Sequence, residues 1–168
     1  MVNVPVKDPG SRAEKTFRND SGRALCSGIL DSGWQTFGVL IAIRLFQAPE
    51  TIKALFFAAD KVGMLLTSIT IAFASRWGRP ATRIIGTYAL LAAVFLILSA
   101  LSPGLWLYAT FFCLAAFTFA QQLPLMIKTY SQNYTRQERG LRVSSASILT
   151  AIGGMLASIS GGWILDLH

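Results

Sequence analysis

The sequence predicts an all-α fold: a polytopic transmembrane helical bundle with five spans. Its 168 residues are 53% hydrophobic and only 14% charged, whereas about 25% of the residues in an ordinary soluble domain are charged. Several apolar stretches reach the roughly 20 residues that a helix needs to cross a bilayer. Basic residues collect in the segments between these stretches, which is typical of membrane topology. A soluble protein with buried helices is the alternative that these observations disfavour.

The five predicted spans follow one another along the chain. Residues 1–24 are polar and are predicted to form an irregular cytoplasmic tail, because prolines and a glycine break their periodicity. Residues 25–168 form the predicted transmembrane region. Its spans are placed at residues 25–47, 54–75, 84–101, 105–127 and 143–165. Gly78 and Pro80 keep the second span from continuing into the third, since proline lacks an N–H and restricts the residue before it.

The positions of lysine and arginine orient these spans. The tail carries five of them, the turn at residues 75–83 carries three, and the loop from Lys128 to Arg142 carries four. The opposite side has only Lys53 and Lys61, the latter in the first turns of the second span, and Arg44 lies within the first span. Because segments rich in Lys and Arg stay on the cytoplasmic side, the N-terminus is predicted inside and the C-terminus outside. The plasma (inner) membrane is the predicted location.

The basic turn between the second and third spans resembles the signature loop of the major facilitator superfamily, which typically reads Gly-x-x-x-Asp-Arg-x-Gly-Arg-Arg/Lys. The matching residues are Arg76, Gly78 and Arg79. The motif differs at three positions: this chain has Ile71 in place of Gly, Ser75 in place of Asp and Pro80 in place of a basic residue. Two later segments are also similar to family motifs. The loop at residues 136–142 resembles a Glu-Arg-Gly-Arg loop, and residues 153–162 resemble the glycine-rich fifth helix of the family's antiporters.

The resemblance implies secondary active transport of a small solute by alternating access. It also implies a cytoplasmic gate loop formed by Arg76, Gly78, Arg79 and Arg83. Family members usually have twelve spans in two halves, so five spans correspond to the N-terminal portion of a longer carrier. The expected partners are the lipid bilayer, a small-molecule substrate and a proton coupled to its transport, with symport and antiport both open. The alternative is a truncated membrane protein that does not transport and has an assembly or regulatory role.

Asp31 is the most informative polar residue within a predicted span. A carboxylate at the centre of a membrane helix costs roughly 2.5–3.5 kcal/mol on insertion scales and less near its ends. Gln35 lies one helical turn later on the same face. The resemblance places the first and fourth helices around a substrate cavity, so Asp31 and Gln35 are predicted to bind the substrate or the coupling proton. The alternative is that Asp31 lies near the inner headgroups and pairs with the basic tail.

Gln121 and Gln122 lie in the fourth predicted span, shortly before Pro124. Buried amides within a membrane need hydrogen-bond partners. One interpretation is a polar wall of the substrate cavity, and the other is hydrogen bonding between helices.

Small residues recur every four positions in the fifth span and predict close helix packing. They include Gly153, Gly154, Ala157, Ser158, Gly161 and Gly162. A further hypothesis pairs Arg44 with Asp60 at the outer side of the first two spans.

The sequence offers no support for catalysis or for a cofactor. His168, the last residue, is the only histidine, and Cys26 and Cys113 lie in apolar surroundings. No metal site, cofactor or enzymatic activity is therefore expected. Nucleic acid is not an expected partner either, because topology accounts for the net charge of +7.

Overall fold

The computed structural model describes the backbone of residues 9–76 and 80–166, and within these ranges the side chains of residues 13–72, 76 and 80–164. This part of the chain is helical and contains no strand, so the predicted all-α class is confirmed. The helices are α1 (Pro9–Ser32), α2 (Val39–Arg44), α3 (Glu50–Arg76), α4 (Ala81–Ala100), α5 (Leu105–Ala120), α6 (Gln122–Asn133) and α7 (Arg136–Asp166). A π-helical segment, Gly33–Gly38, joins α1 to α2.

Four helical segments are long and apolar enough to cross a membrane. They are Glu50–Ala72, Ala81–Ala100, Leu105–Asn133 and Arg136–Ile164, and they correspond in position to the second to fifth predicted spans. The stretch at residues 25–47 is not among them within the described residues. It is helical up to Arg44, but the π-helical segment interrupts it and it carries Asp31 and Gln35. Its crossing of the membrane stays a prediction.

The polar N-terminal segment is helical from Pro9, which differs from the irregular tail expected from the sequence. Proline is well suited to the first position of a helix, because its φ is already near the helical value and its missing N–H would have no partner there. Ala13, Asp20, Ala24 and Gly28 are buried along one face of α1. This face packs against α7, and tertiary packing therefore orders a segment whose composition predicted a tail.

The polar segment from Lys128 to Arg142 is also helical over most of its length, where a loop was expected. Only residues 134 and 135 lie outside α6 and α7. Thr135 and Glu138 form a capping box: the Glu138 backbone N–H donates to Thr135 Oγ1 at 3.3 Å, and that hydroxyl donates to Glu138 Oε2 at 3.0 Å. Because these contacts satisfy the first turn, α7 begins seven residues before the predicted start of the fifth span, residue 143.

The fourth predicted span is divided into α5 and α6 at Gln121. Pro124 lies in the first turn of α6. A proline ring clashes with the carbonyl four residues earlier, and here that carbonyl belongs to Ala120, the last residue of α5. The proline thus explains where the helix breaks.

The chain divides into two compact units. The first comprises residues 1–37 and 130–168, and its described core is the packing of α1 along α7. The second comprises residues 38–129, where α5 packs against both α3 and α4. Within the second unit, Phe56, Tyr108 and Phe112 form a buried aromatic cluster, and the Tyr108 hydroxyl donates to the Gly38 carbonyl at 2.7 Å.

Candidate functional site

A groove of about 300 Å³ opens in the first unit between α1 and α7, beside the π-helical segment. It is lined by Gly28, Asp31, Ser32, Gln35, Thr36, Thr150, Ala151 and Gly154. Five of these residues carry side-chain oxygen atoms that can form hydrogen bonds, and the other three have little or no side chain. The groove is therefore lined largely by groups that can form hydrogen bonds.

Asp31 and Gln35 interact directly in this groove. Gln35 Nε2 donates to Asp31 Oδ1 at 3.0 Å, and both side chains are exposed. Asp31 Oδ2 has no hydrogen-bond partner among the described residues. The structure thus leaves one carboxylate oxygen and the carbonyl of the Gln35 amide available to a ligand in the groove.

Small residues bring the two walls of the groove together. A Cβ atom added to Gly28 would overlap the Thr150 carbonyl, and one added to Gly153 would overlap the Leu25 carbonyl. Such backbone-to-backbone approach is what rows of small residues permit in membrane helices. A hydrogen bond of 2.6 Å between Ser32 Oγ and Ser158 Oγ also joins α1 to α7.

The remaining residues of the predicted packing row lie in varied surroundings. Gly154 approaches the Gly28 carbonyl at a normal packing distance, and the Cβ position of Gly161 overlaps the ring of Phe37. Ala157 is half-buried. Gly162 has open space around its Cβ position. The close approach is therefore concentrated at the middle of α7.

The π-helical segment carries Gln35 and Thr36 into the groove. A π-helix uses hydrogen bonds five residues apart, one more than an α-helix, and π-helical turns occur frequently at functional sites. Here the segment extends from Gly33 to Gly38. Its wider turn changes the angular position of Gln35 relative to an ideal helix while still leaving it within hydrogen-bond distance of Asp31.

Gln121 and Gln122 belong to the second unit, where both are buried. Gln121 Nε2 donates to the Gly63 carbonyl at 2.7 Å, so it connects α3 to the junction of α5 and α6. Gln121 Oε1 and Gln122 Nε2 are buried without a hydrogen-bond partner. The contact to Gly63 corresponds to the interpretation of hydrogen bonding between helices, and the two unpaired atoms still require partners.

The predicted gate loop is described only in part. Arg76 is the last residue of α3 and is exposed. Arg83 lies in the first turn of α4 and is also exposed. Gly78 and Arg79 lie outside the described residues. Pro80, which directly precedes α4, is not helical.

The hypothesised ion pair between Arg44 and Asp60 is wrong. Asp60 Oδ2 pairs instead with Lys61 Nζ at 2.8 Å. Arg44 is exposed and has no ion-pair partner among the described residues. A long, flexible arginine at a helix end can reach water by itself, so its charge needs no carboxylate.

A buried polar cluster in the first unit was not expected from the sequence. Asp20 is 5% exposed and accepts two hydrogen bonds: from Arg23 Nε at 2.8 Å and from the Tyr130 hydroxyl at 2.6 Å. Arg23 Nη2 also lies 3.3 Å from that hydroxyl. The spacing of Asp20 and Arg23, three residues apart, indicates a helical pair, but both residues fall within the segment predicted as a tail.

Comparison of the chain with protein-family models, curated proteins and solved structures gives no match. The described residues contain no group of three His, Cys, Asp or Glu side chains that could hold a metal ion. The functional interpretation therefore depends on the residues and on the geometry of the groove.

Proposed function

We propose that this chain is the N-terminal portion of a secondary carrier of the major facilitator type, located in the plasma (inner) membrane with five spans and its N-terminus inside. In this proposal a small solute crosses by alternating access, and the groove at Asp31 is part of its path. The observation that carries the proposal is the free oxygen of an exposed carboxylate in a polar groove. Ionisable residues within membrane helices usually face a cavity or a partner and serve transport or proton transfer.

The pair of Asp31 and Gln35 provides a means of coupling in this proposal. The ionised carboxylate accepts a hydrogen bond from the Gln35 amide. A proton on the carboxylate weakens that bond, because a neutral acid is a poorer acceptor than its anion. The amide N–H then becomes available to a solute oxygen. Proton binding and solute binding would therefore favour each other at one site, as symport requires.

The function of Asp31 can be tested by proton movement in proteoliposomes. The full chain, with its natural continuation where one exists, is reconstituted with a pH-sensitive dye inside, and gradients of sugars, amino acids and small carboxylates are applied in turn. We expect at least one class of solute to drive proton movement in the wild type. We expect Asp31→Asn, which keeps the shape but removes the charge, to reduce that movement to the level of protein-free liposomes.

Asp60→Asn is the matched control, because Asp60 is also a carboxylate on a helix but pairs with Lys61 outside the groove. It should retain the wild-type rate. Wild-type rates in Asp31→Asn would exclude Asp31 as the coupling residue. A folded protein that moves no solute in any condition would favour the alternative of a membrane protein with an assembly or regulatory role.

A further inference from the structure

Two buried polar atoms without partners lie near the start of α7. The Tyr134 side chain is 5% exposed, and its hydroxyl has no hydrogen-bond partner. The Arg139 Nε atom is likewise buried without a partner. Leaving such groups unpaired is costly, and polar groups buried in native proteins generally have a partner. Each of these atoms therefore points to a ligand that accepts hydrogen bonds.

The two atoms belong to one local region. Arg139 Nη2 reaches back across the turn between α6 and α7 and lies 3.5 Å from the Ser131 carbonyl. Tyr134 occupies that turn, immediately before the capping residue Thr135, and its ring stacks on Tyr130. The guanidinium group of Arg139 is therefore held over the segment that carries the unpaired hydroxyl.

The region has an excess of positive charge. Three arginines occur at three-residue intervals on α7: Arg136, Arg139 and Arg142. None of them has a carboxylate partner among the described residues. Arg142 instead lies over the ring of Phe17, 4.5 Å from its centroid. The nearby carboxylates are already engaged, since Asp20 binds Arg23 and Tyr130, and Glu138 caps α7. An anion at this turn would therefore face an excess of cations, opposed by the charges of Asp20 and Glu138.

The protonation of Tyr134 agrees with a donor function. Burial raises the pKa of its phenol above the ordinary value, the charge of Asp20 raises it further, and Arg142 opposes the rise. The hydroxyl therefore keeps its proton at neutral pH.

We propose that Tyr134, Arg139 and Arg142 form a binding site for a phosphate group at the turn between α6 and α7. A phosphate oxygen would accept hydrogen bonds from the Tyr134 hydroxyl and from Arg139 Nε, and the remaining charge would be neutralised by Arg142. Leu141, which is 73% exposed, lies beside the site, and the apolar part of α7 begins at Val143. The site is thus at the boundary where phospholipid headgroups meet a membrane helix, and free phosphate is the other source of the same chemistry. The inference does not depend on whether the chain transports a solute.

The test is a thermal unfolding titration of the full chain in micelles of an uncharged detergent. Phosphatidylglycerol, phosphatidylcholine and inorganic phosphate are added separately. We expect phosphatidylglycerol to raise the midpoint in a saturable way and phosphatidylcholine to have a much smaller effect. A rise with phosphatidylglycerol alone identifies a lipid headgroup, whereas an equal rise with inorganic phosphate identifies a free phosphate. No saturable rise with either anion would overturn the proposal.

Three variants test whether the anion that raises the unfolding midpoint binds at Tyr134 and Arg139. Arg139→Gln and Tyr134→Phe should each weaken the apparent affinity for the anion about tenfold, the change expected from one lost hydrogen bond to a charged group. Arg83→Gln, an exposed arginine on α4, should titrate like the wild type. Equal affinities in Arg139→Gln, Tyr134→Phe and the wild type would overturn the proposal.

Tyr134→Phe keeps the test decisive if Arg139→Gln fails to fold. Without anion, this variant should unfold at or above the wild-type midpoint, because it removes a buried hydroxyl that has no partner. With saturating anion, Tyr134→Phe should unfold below the wild-type midpoint. If the hydroxyl had a purely structural function, the difference in unfolding midpoint between Tyr134→Phe and the wild type would be the same with and without anion.

Discussion

Replacing Gly28 or Gly153 with alanine is expected to destabilise the packing of α1 on α7 by about 2 kcal/mol each, within the range of overpacked cores. The added methyl group would overlap a backbone carbonyl in both cases, that of Thr150 or that of Leu25. A carbonyl cannot rotate away as a side chain can, so the helices must separate. Separation would also weaken the hydrogen bond between Ser32 and Ser158. Unfolding by a denaturing detergent would measure the loss.

Gly162→Ala is the control for this prediction. It lies on the same helix, but nothing approaches its Cβ position within 4 Å. Alanine is favoured over glycine inside a helix by up to about 1 kcal/mol, so this variant should be as stable as the wild type or more stable. The effect of a glycine-to-alanine substitution on stability is therefore expected to change sign along α7, from destabilising at Gly153 to neutral or stabilising at Gly162. Equal effects at Gly28, Gly153 and Gly162 would contradict the close approach of the two helices.

Arg23→Ala is expected to destabilise the first unit by about 3 kcal/mol, the lower end of the range for breaking a buried ion pair. The variant leaves the carboxylate of Asp20 buried, with the Tyr130 hydroxyl as its remaining partner. Arg23 itself is partly exposed, so the loss comes mainly from the uncompensated charge of Asp20. Adding Asp20→Asn to Arg23→Ala removes that charge, and the double variant should be more stable than Arg23→Ala alone. Thermal unfolding of the two variants checks this order.

Lys53→Ala is a matched control for the ion pair. Lys53 and Glu50 have the same three-residue spacing and a similar distance, 2.7 Å, but the Glu50 side chain is 89% exposed. Exposed pairs contribute about 0–1 kcal/mol, so Lys53→Ala should have little effect. If Arg23→Ala were as mild, or if the double variant were less stable than Arg23→Ala, the cluster around Asp20 would not depend on a buried charge.

The apolar helices could be predicted from the sequence because lipid solubility and span length are properties of local composition. Four helices occur where long apolar stretches were expected. The helical form of the N-terminal segment could not be predicted in this way. It depends on the packing of α1 on α7, where Gly28 meets Thr150, and on the hydrogen bond of Asp20 to Tyr130, contacts between residues more than a hundred positions apart.

Of the residues predicted to line the cavity, Asp31 and Gln35 lie in the groove, whereas Gln121 and Gln122 are buried in the second unit. The spacing of Asp31 and Gln35 places them on one face of a helix, and they are hydrogen-bonded to each other. The π-helical segment that carries Gln35 has no signature in the sequence, and its widened turn depends on the packing around it. The hydrogen bond between the Tyr130 hydroxyl and Asp20 could not be predicted either, because it joins residues 110 positions apart.

We propose that residues 25–47 cross the membrane, giving five spans with the basic segments inside. The test uses single cysteines in a background with Cys26→Ser and Cys113→Ala. They are placed at three exposed positions, Glu14, Thr51 and Gln137. Cells are then treated with a thiol reagent that does not enter intact cells. We predict labelling of Thr51→Cys in intact cells, and labelling of Glu14→Cys and Gln137→Cys only after permeabilisation. Labelling of Glu14→Cys and Thr51→Cys from the same side would contradict the claim, because no membrane crossing would then separate them.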